Sequence, residues 1–95
     1  MNTLQMNDSE VFRTIPEGEG FAICVYLLQY YADLSFVEAY TYAWVEQFHR
    51  PADFEITRQA LHSRLRNARR KIRECEAPVL EMIAPYVESA QQIWV

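Results

Sequence analysis

Residues 57–74 read TRQALHSRLRNARRKIRE, and the charge of the whole chain is organised around them. Seven of the nine basic side chains lie in this segment, and no Asp or Glu occurs between Ile56 and Glu74. Outside residues 57–73, the chain has two basic residues against all thirteen acidic ones, a formal charge of −11. An acidic protein has therefore concentrated its positive charge in one place, and this segment is predicted to meet an anionic partner.

The same segment has the periodicity of an amphipathic helix. At 100° per residue, one narrow apolar stripe contains Leu61, Leu65, Ala68, Ile72 and Cys75. Arginines occupy the wide opposite arc, with Arg64 and Lys71 at the edges of the stripe. Thr57 is a suitable N-cap. The pattern predicts a helix from about Thr57 to Cys75, anchored by aliphatic side chains and cationic on its outer face.

The composition favours an all-α fold, a bundle of about four helices. The chain is 51% hydrophobic, with only two glycines and four prolines, too few for the turns of a sandwich or barrel. Residues 21–32 are apolar almost all round, which predicts a central helix covered on most faces. Ser35 and Glu38 form a capping-box pattern for a second helix that reaches about His49. A last helix starts near Pro78, and Pro85 is expected to kink or divide it.

The second helix is expected to contribute an aromatic and aliphatic stripe to the core. The candidate core positions are Phe36, Ala39, Tyr40, Ala43, Trp44, Val45 and Phe48. Tyr42 or Trp44, if exposed, would offer a surface for a partner. Residues 50–55 form the connection to the basic helix, with room for a single helical turn.

The domain organisation is predicted to be simple. Residues 1–19 form a flexible acidic N-terminal segment, and residues 20–95 form a single helical domain. The N-terminus lacks the basic and apolar regions of a signal peptide, and the longest apolar run is too short to span a bilayer. Cys24 and Cys75 have no metal-binding or disulfide-framework spacing. We therefore expect a cytoplasmic protein with reduced cysteines and no membrane contact.

The basic helix also carries a family resemblance. Residues 60–74, ALHSRLRNARRKIRE, are similar to the recognition helix in the promoter-binding region 4 of bacterial sigma factors and of related helix-turn-helix regulators. Residues 57–60, TRQA, resemble the start of such helices, and residues 34–39, LSFVEA, resemble the opening of the preceding helix. The two matching pieces are separated by about ten more residues than in that family. The resemblance implies a helix-turn-helix-like DNA-binding helix.

In helix-turn-helix proteins, the N-terminal part of the recognition helix reads base edges and other cations grip phosphates. The candidate base-reading residues here are Thr57, Arg58, Gln59, His62 and Ser63. The candidate phosphate contacts are Arg66, Arg69, Arg70 and Arg73. Seven cations in one helix without an interleaved acid are a poor design for stability alone, because exposed ion pairs contribute little.

No pattern in the sequence indicates catalysis. The two histidines, His49 and His62, have no accompanying metal-binding spacing, and no glycine-rich phosphate loop is present. We therefore expect a protein that is not an enzyme and that has no cofactor and no metal site.

The sequence thus predicts a small transcriptional regulator that binds double-stranded DNA, of a size typical of phage or mobile-element proteins. A homodimer is expected through the C-terminal helix and its Ile93 and Trp94, because one short helix gives little affinity alone. The alternative is a helical adaptor or inhibitor that uses its basic or aromatic faces against a protein such as RNA polymerase or a nuclease. RNA is less favoured, because no aromatic residues are interleaved with the arginines.

Overall fold

The computed structural model describes residues 18–94, with side chains described for residues 19–89. This part of the chain is all-helical. Its elements are α1 (Gly18–Ala32), α2 (Phe36–Tyr42, continued by a π-helical turn, Ala43–Gln47), α3 (Arg58–Glu74) and α4 (Val79–Trp94). The all-α prediction and the number of helices are confirmed. Most of the predicted N-terminal segment lies outside the described residues, as do the side chains of Ile93 and Trp94.

Helix α1 packs mainly along α4 and also contacts α2 and α3. One face of α1 is fully buried, with Phe21, Cys24 and Leu28 all at 0% exposure. A Cβ on Gly20 would lie 3.2 Å from the carbonyl oxygen of Tyr86, so a glycine allows α1 and α4 to approach closely. The helix ends at Ala32, and the φ of 61° at the next residue, Asp33, turns the chain out of the helix. Asp is one of the few side chains that tolerate this conformation.

Helix α1 is covered on most of its circumference, as expected, but one side of it is open to solvent. Tyr26, Tyr30 and Tyr31 are exposed by 59%, 67% and 42%, although they belong to the same apolar run. A tyrosine can lie at the surface because its hydroxyl group remains hydrated while its ring contacts a neighbour. One face of α1 is therefore packed in the core and another carries exposed tyrosines. The apolar residue types of this run did not show which face would be exposed.

Helix α2 begins with the predicted capping box. The Glu38 amide donates to the Ser35 hydroxyl at 3.1 Å, and the Ser35 amide donates to the Glu38 carboxylate at 3.0 Å. Its C-terminal turn is π-helical, since the Phe48 amide donates to the Ala43 carbonyl five residues earlier, at 2.8 Å. The helix ends at Gln47, close to the expected end at His49.

One core prediction for α2 is wrong, because Phe36 is 46% exposed. Tyr42, which would have offered a partner surface if exposed, is only 5% exposed and offers none. Phe36 is the first residue of α2 and lies at the exposed end of the helix. Leu34, two residues before it, is buried in the core instead. Tyr42 can be buried because the Gln47 amide donates to its hydroxyl group at 3.2 Å. Ala39, Ala43 and Phe48 are buried as predicted.

Helix α4 is continuous from Val79 to Trp94, with Pro85 inside it, so the helix is not divided. Proline removes one amide donor and leaves the carbonyl four residues earlier, that of Glu81, without its helical partner. Both Pro85 and Glu81 are exposed, so water can satisfy this carbonyl. The apolar face is formed by Val79, Ile83 and Val87, while Tyr86 is 38% exposed.

Candidate nucleic-acid interface

Helix α3 forms as its sequence predicts. The Thr57 hydroxyl accepts from the Ala60 amide at 3.0 Å, which confirms the N-cap. The predicted apolar stripe is also confirmed: Leu65 and Ala68 are buried, and Leu61, Ile72 and Cys75 are partly buried against the core. Because this stripe is narrow, most of the circumference of α3 is left to polar side chains.

Three cations fix α3 against α2. The Lys71 ammonium lies 2.8 Å from the Glu38 carboxylate on one edge of the contact, and Arg69 donates through Nε to Glu46 at 2.8 Å on the other. One to two turns earlier on α3, the Arg64 guanidinium donates to the Thr41 hydroxyl at 3.2 Å. We call Arg64, Arg69 and Lys71 the docking cations. They join segments 23 to 33 residues apart and set the orientation of α3 on α2.

Glu38 has two roles in this contact, as a capping residue of α2 and as the partner of Lys71. Burial raises its pKa, but the hydrogen bonds from Lys71 and Ser35 outweigh this, and the pKa of Glu38 is held below its ordinary value. The carboxylate therefore stays ionised in the folded protein to lower pH than an isolated glutamate. Similarly, the hydrogen bond to Glu46 raises the pKa of Arg69.

A second set of basic residues lies on the outer side of α3. Arg58, His62, Arg66 and Arg73 are all exposed and make no ion pair or hydrogen bond with another residue in the described part of the chain. At 3.6 residues per turn, they fall within about 80° of rotation and extend along roughly 22 Å of helix. We call these four residues the basic stripe. Their charges are available to a partner from outside the chain.

The other predicted site residues divide between exposed and partly engaged positions. Gln59 is exposed beside the basic stripe, and Ser63 is half-buried. Arg69 lies in line with the stripe but is held by Glu46, and Arg70 is 3.3 Å from Glu74 one turn later. Thr57 is exposed, but its hydroxyl serves as the helix cap. The structure therefore brings the predicted residues onto one helix but leaves only some of their polar groups unengaged.

The N-terminal turn of α3 projects from the body of the protein. Residues 57–60 are all exposed, and the first buried residue of α3 is Leu65. The exposed turn carries Arg58 and the unpaired amide groups at the positive end of the helix dipole. This end of the helix is therefore accessible from outside the domain.

The connection before α3 differs from that of a standard helix-turn-helix. Ten residues, 48–57, separate the two helices, and none of them is helical, so the single helical turn allowed for this connection is absent. His49 adopts a φ of 54° directly after the π-helical turn, and the Trp44 indole donates to the Pro51 carbonyl at 2.9 Å. The connection is therefore an ordered loop, and α2 and α3 are related by their side-chain contacts and not by a tight turn.

The sequence reasoning missed the partners of the docking cations and the exposed tyrosines of α1. Glu38 and Glu46 are the only acids on α2, and their spacing of eight residues places both ends of the helix within reach of α3. Tyr26 and Tyr30 are four residues apart, a spacing that indicates neighbours on one helical face. Both signals were present in the sequence.

The described residues offer little that resembles a reactive centre. No group of three or more His, Cys, Asp or Glu side chains is arranged to hold a metal ion within this part of the chain. Burial raises the pKa of the Cys24 thiol to about 12, so it remains protonated and unreactive at neutral pH. None of the four helices, as far as the structure describes them, has the length and apolar character required to cross a bilayer.

Comparison of the chain with models of protein families, with curated proteins and with solved structures gives no match. The candidate function therefore depends on the geometry and charge of α3 itself.

Proposed function

We propose that this protein is a small DNA-binding regulator that contacts double-stranded DNA through α3. The observation that carries the proposal is the basic stripe: three arginines and a histidine lie on the exposed side of one helix with no acidic neighbour engaging them among the described residues. DNA presents a regular array of phosphates, and exposed arginines that neutralise them release bound counterions.

The projecting N-terminal turn supports insertion into the major groove. That groove is about 12 Å wide and accepts one α-helix, whose N-terminal residues meet the base edges. On α3, Arg58, Gln59 and His62 occupy this position. Arginine can donate two hydrogen bonds to guanine, and glutamine can pair with adenine. We assign sequence reading to these three side chains.

The later cations suit the DNA backbone. Arg66 and Arg73 lie further along the same stripe and would meet the phosphates that border the groove. The docking cations would contribute indirectly, because Arg64, Arg69 and Lys71 hold α3 in its orientation. The resemblance to region 4 of sigma factors agrees with this assignment, and the long connection between α2 and α3 distinguishes this domain from that family.

A single α3 contacts only a short DNA site, so we further propose that two copies bind together. The C-terminal helix, which carries Ile93 and Trp94, is the proposed dimer interface. Two copies of α3 would then read related half-sites, which increases both affinity and sequence information. The molecular mass in solution, measured by sedimentation with and without duplex DNA, tests this part of the proposal.

The test of DNA binding is a salt series with a fluorescent duplex, monitored by anisotropy. We expect affinity to fall steeply as salt rises. The variant Arg66→Ala/Arg73→Ala should lower the slope of log K against log salt by about 0.9 for each phosphate that is no longer neutralised, or roughly 1.8 in total.

The matched control is Ala60→Glu/Asn67→Glu, which also lowers the net charge by two. Both positions are exposed on α3 but face away from the basic stripe. This control should lower the affinity through the overall field while leaving the slope nearer that of the original chain. Absence of duplex binding at low salt would refute the proposal, as would equal slopes for the two double variants.

A further inference from the structure

A second surface of the protein has the opposite charge and an unusual aromatic content. Tyr26, Tyr30 and Tyr31 form a continuous exposed row on α1, which we call the tyrosine row. The rings of Tyr26 and Tyr30 are stacked, with centroids 5.8 Å apart and an interplanar angle of 15°. Tyr31 meets Tyr30 edge-on at 4.8 Å. Three neighbouring aromatic rings are thus held in fixed relative positions at the surface.

The tyrosine row ends at a cleft between the C-terminal end of α1 and that of α3. This cleft has a volume of about 590 Å³. Tyr31 and Asp33 form one wall, and Glu74 and Glu76 contribute to the opposite side together with Arg70 and Lys71. We call it the acidic cleft. Its position makes the row and the cleft one continuous surface.

The cations of the acidic cleft are already engaged by carboxylates. Lys71 is bound to Glu38, and Arg70 pairs with Glu74. Asp33 and Glu76, in contrast, are exposed and form no ion pair with any residue that the structure describes. The surface therefore has unbalanced negative charge beside its aromatic rings.

The helix that carries the tyrosine row adds to its negative charge. Helix α1 contains no Lys or Arg, and Glu19 lies on the same face of α1 as Tyr26 and Tyr30. The last turn of α1, which points its carbonyl groups toward Asp33, also has no basic residue. The negative end of the helix dipole is thus not compensated at this position.

We propose that the tyrosine row and the acidic cleft bind an arginine-bearing segment of a partner protein. A guanidinium group can stack on an aromatic ring and can donate two parallel hydrogen bonds to a carboxylate. The row supplies the rings, and Asp33 and Glu76 supply the carboxylates. The charge complementarity identifies the partner as cationic, because the unpaired carboxylates of Asp33 and Glu76 attract a guanidinium group and repel a phosphate.

This surface is centred on α1, away from most of the basic stripe, although Glu76 also lines a pocket that contains Arg73. The protein therefore has two regions of opposite charge. The basic stripe is formed by the outer side of α3, whereas the rings are contributed by α1. A protein bound to DNA through α3 would keep the tyrosine row accessible. The inference therefore does not depend on the success of the DNA proposal, since the α1 surface would bind the same partner if α3 bound none.

The test uses a fluorescent tetra-arginine peptide and the same peptide with citrulline, an uncharged analogue of arginine, at each position. We expect the full chain to bind the arginine peptide and not the citrulline peptide at low salt. Tyr30→Gln should weaken binding about two- to fivefold, in line with an exposed cation–π contact. Asp33→Asn should weaken it by a similar factor, since exposed charge pairs have comparable strength.

Asp33→Asn is informative because asparagine accepts the positive φ at this position as readily as aspartate does. The matched control is Tyr86→Gln/Asp53→Asn, which changes an exposed tyrosine and an exposed aspartate outside the surface. It should bind the peptide like the original chain. In spectra of the isotope-labelled protein, the peptide should shift the amide signals of residues 26–33.

Four outcomes would overturn the inference. The citrulline peptide could bind as tightly as the arginine peptide, or Tyr30→Gln/Asp33→Asn could bind the arginine peptide as the original chain does. The peptide could shift only amide signals of other helices. The protein could also self-associate in a way that both Asp33→Asn and Arg66→Ala reduce. The last would identify a second copy as the occupant. Duplex DNA binding by Tyr30→Gln/Asp33→Asn, and peptide binding by Arg66→Ala/Arg73→Ala, report separately on the two surfaces.

Discussion

The docking cations and the basic stripe are the same kinds of residue on the same helix, yet they have different environments. The docking cations lie beside α2 and donate to Glu38, Thr41 and Glu46. The basic stripe faces outward and has no such acceptors in the described residues. Three of the seven Lys and Arg side chains of α3 therefore position the helix, and three others are available to a ligand.

This comparison shows why a count of basic residues overestimates a binding surface. A cation engaged by a carboxylate contributes little to the field outside the protein, because the pair is locally neutral. Substitution of a docking cation should mainly change stability, and substitution of a stripe residue should mainly change binding. Substitutions of each kind, together with one in the core beneath them, therefore test this division.

The largest effect is expected where α3 is anchored to the core, beneath both sets of cations. Leu65 is 5% exposed and belongs to the core cluster. Leu65→Ala should lower the free energy of unfolding by about 2–5 kcal/mol, because it removes buried methyl groups and leaves a cavity. Urea denaturation monitored by circular dichroism measures this change.

The control is the same substitution at an exposed leucine. Leu80 is 40% exposed on α4, and Leu80→Ala should cost about 1 kcal/mol or less. If the two variants were equally stable, Leu65 would not be the anchor, and the distinction between the inner and outer sides of α3 would fail.

The next effect concerns the docking cations. Glu38→Gln removes the charge that pairs with Lys71, but glutamine preserves the capping box with Ser35. The side chains of Lys71 and Glu38 are only 29% and 15% exposed, so we expect a loss of about 1 kcal/mol in the free energy of unfolding at neutral pH. Glu55→Gln, at an exposed position in the connection, should cost much less. Equal losses would show that the pair with Lys71 does not stabilise the fold.

The same variant has a predicted pH dependence. The pKa of Glu38 is below its ordinary value of 4.5, so the unfolded chain binds the proton more readily than the folded protein does. The contribution of this carboxylate is therefore complete above pH 4.5 and is lost as the pH falls through the lower pKa of the folded state. The stability difference between the original chain and Glu38→Gln should shrink over that range. A constant difference down to acid pH would contradict this assignment.

Helix α3 itself was predictable from sequence, because its cap, apolar stripe and charged arc all indicate the same structure. The division between docking cations and basic stripe was not predictable to the same degree. It depends on how α2 crosses α3, and the ten-residue loop and π-helical turn that precede α3 have no strong sequence signal for this crossing. The exposed tyrosines were hidden for a related reason: an apolar run does not reveal which of its faces the neighbouring helices cover.

A smaller effect should distinguish two arginines that are in line on α3. Arg66 is exposed and unpaired among the described residues, while Arg69 donates to Glu46. Arg66→Ala should weaken duplex binding several-fold and lower the salt slope by about 0.9. Arg69→Ala should change the slope less and should lower stability instead. Parallel anisotropy and denaturation measurements separate the two responses, and equal slopes for the two variants would break the proposed division.

The smallest effect is expected for Arg70, which belongs to neither set. Its guanidinium is 3.3 Å from Glu74, and their side chains are 48% and 63% exposed, so water screens the pair. Arg70→Ala should change the free energy of unfolding by less than about 0.5 kcal/mol. It should also change duplex binding less than Arg66→Ala does, because Glu74 already offsets its charge.

Glu74→Gln provides the complementary measurement. If the pair with Glu74 is what removes Arg70 from the binding surface, then freeing Arg70 in this way should strengthen duplex binding slightly. An unchanged affinity for Glu74→Gln together with a large drop in affinity for Arg70→Ala would mean that Arg70 contacts DNA despite its partner, and the basic stripe would then extend further around α3.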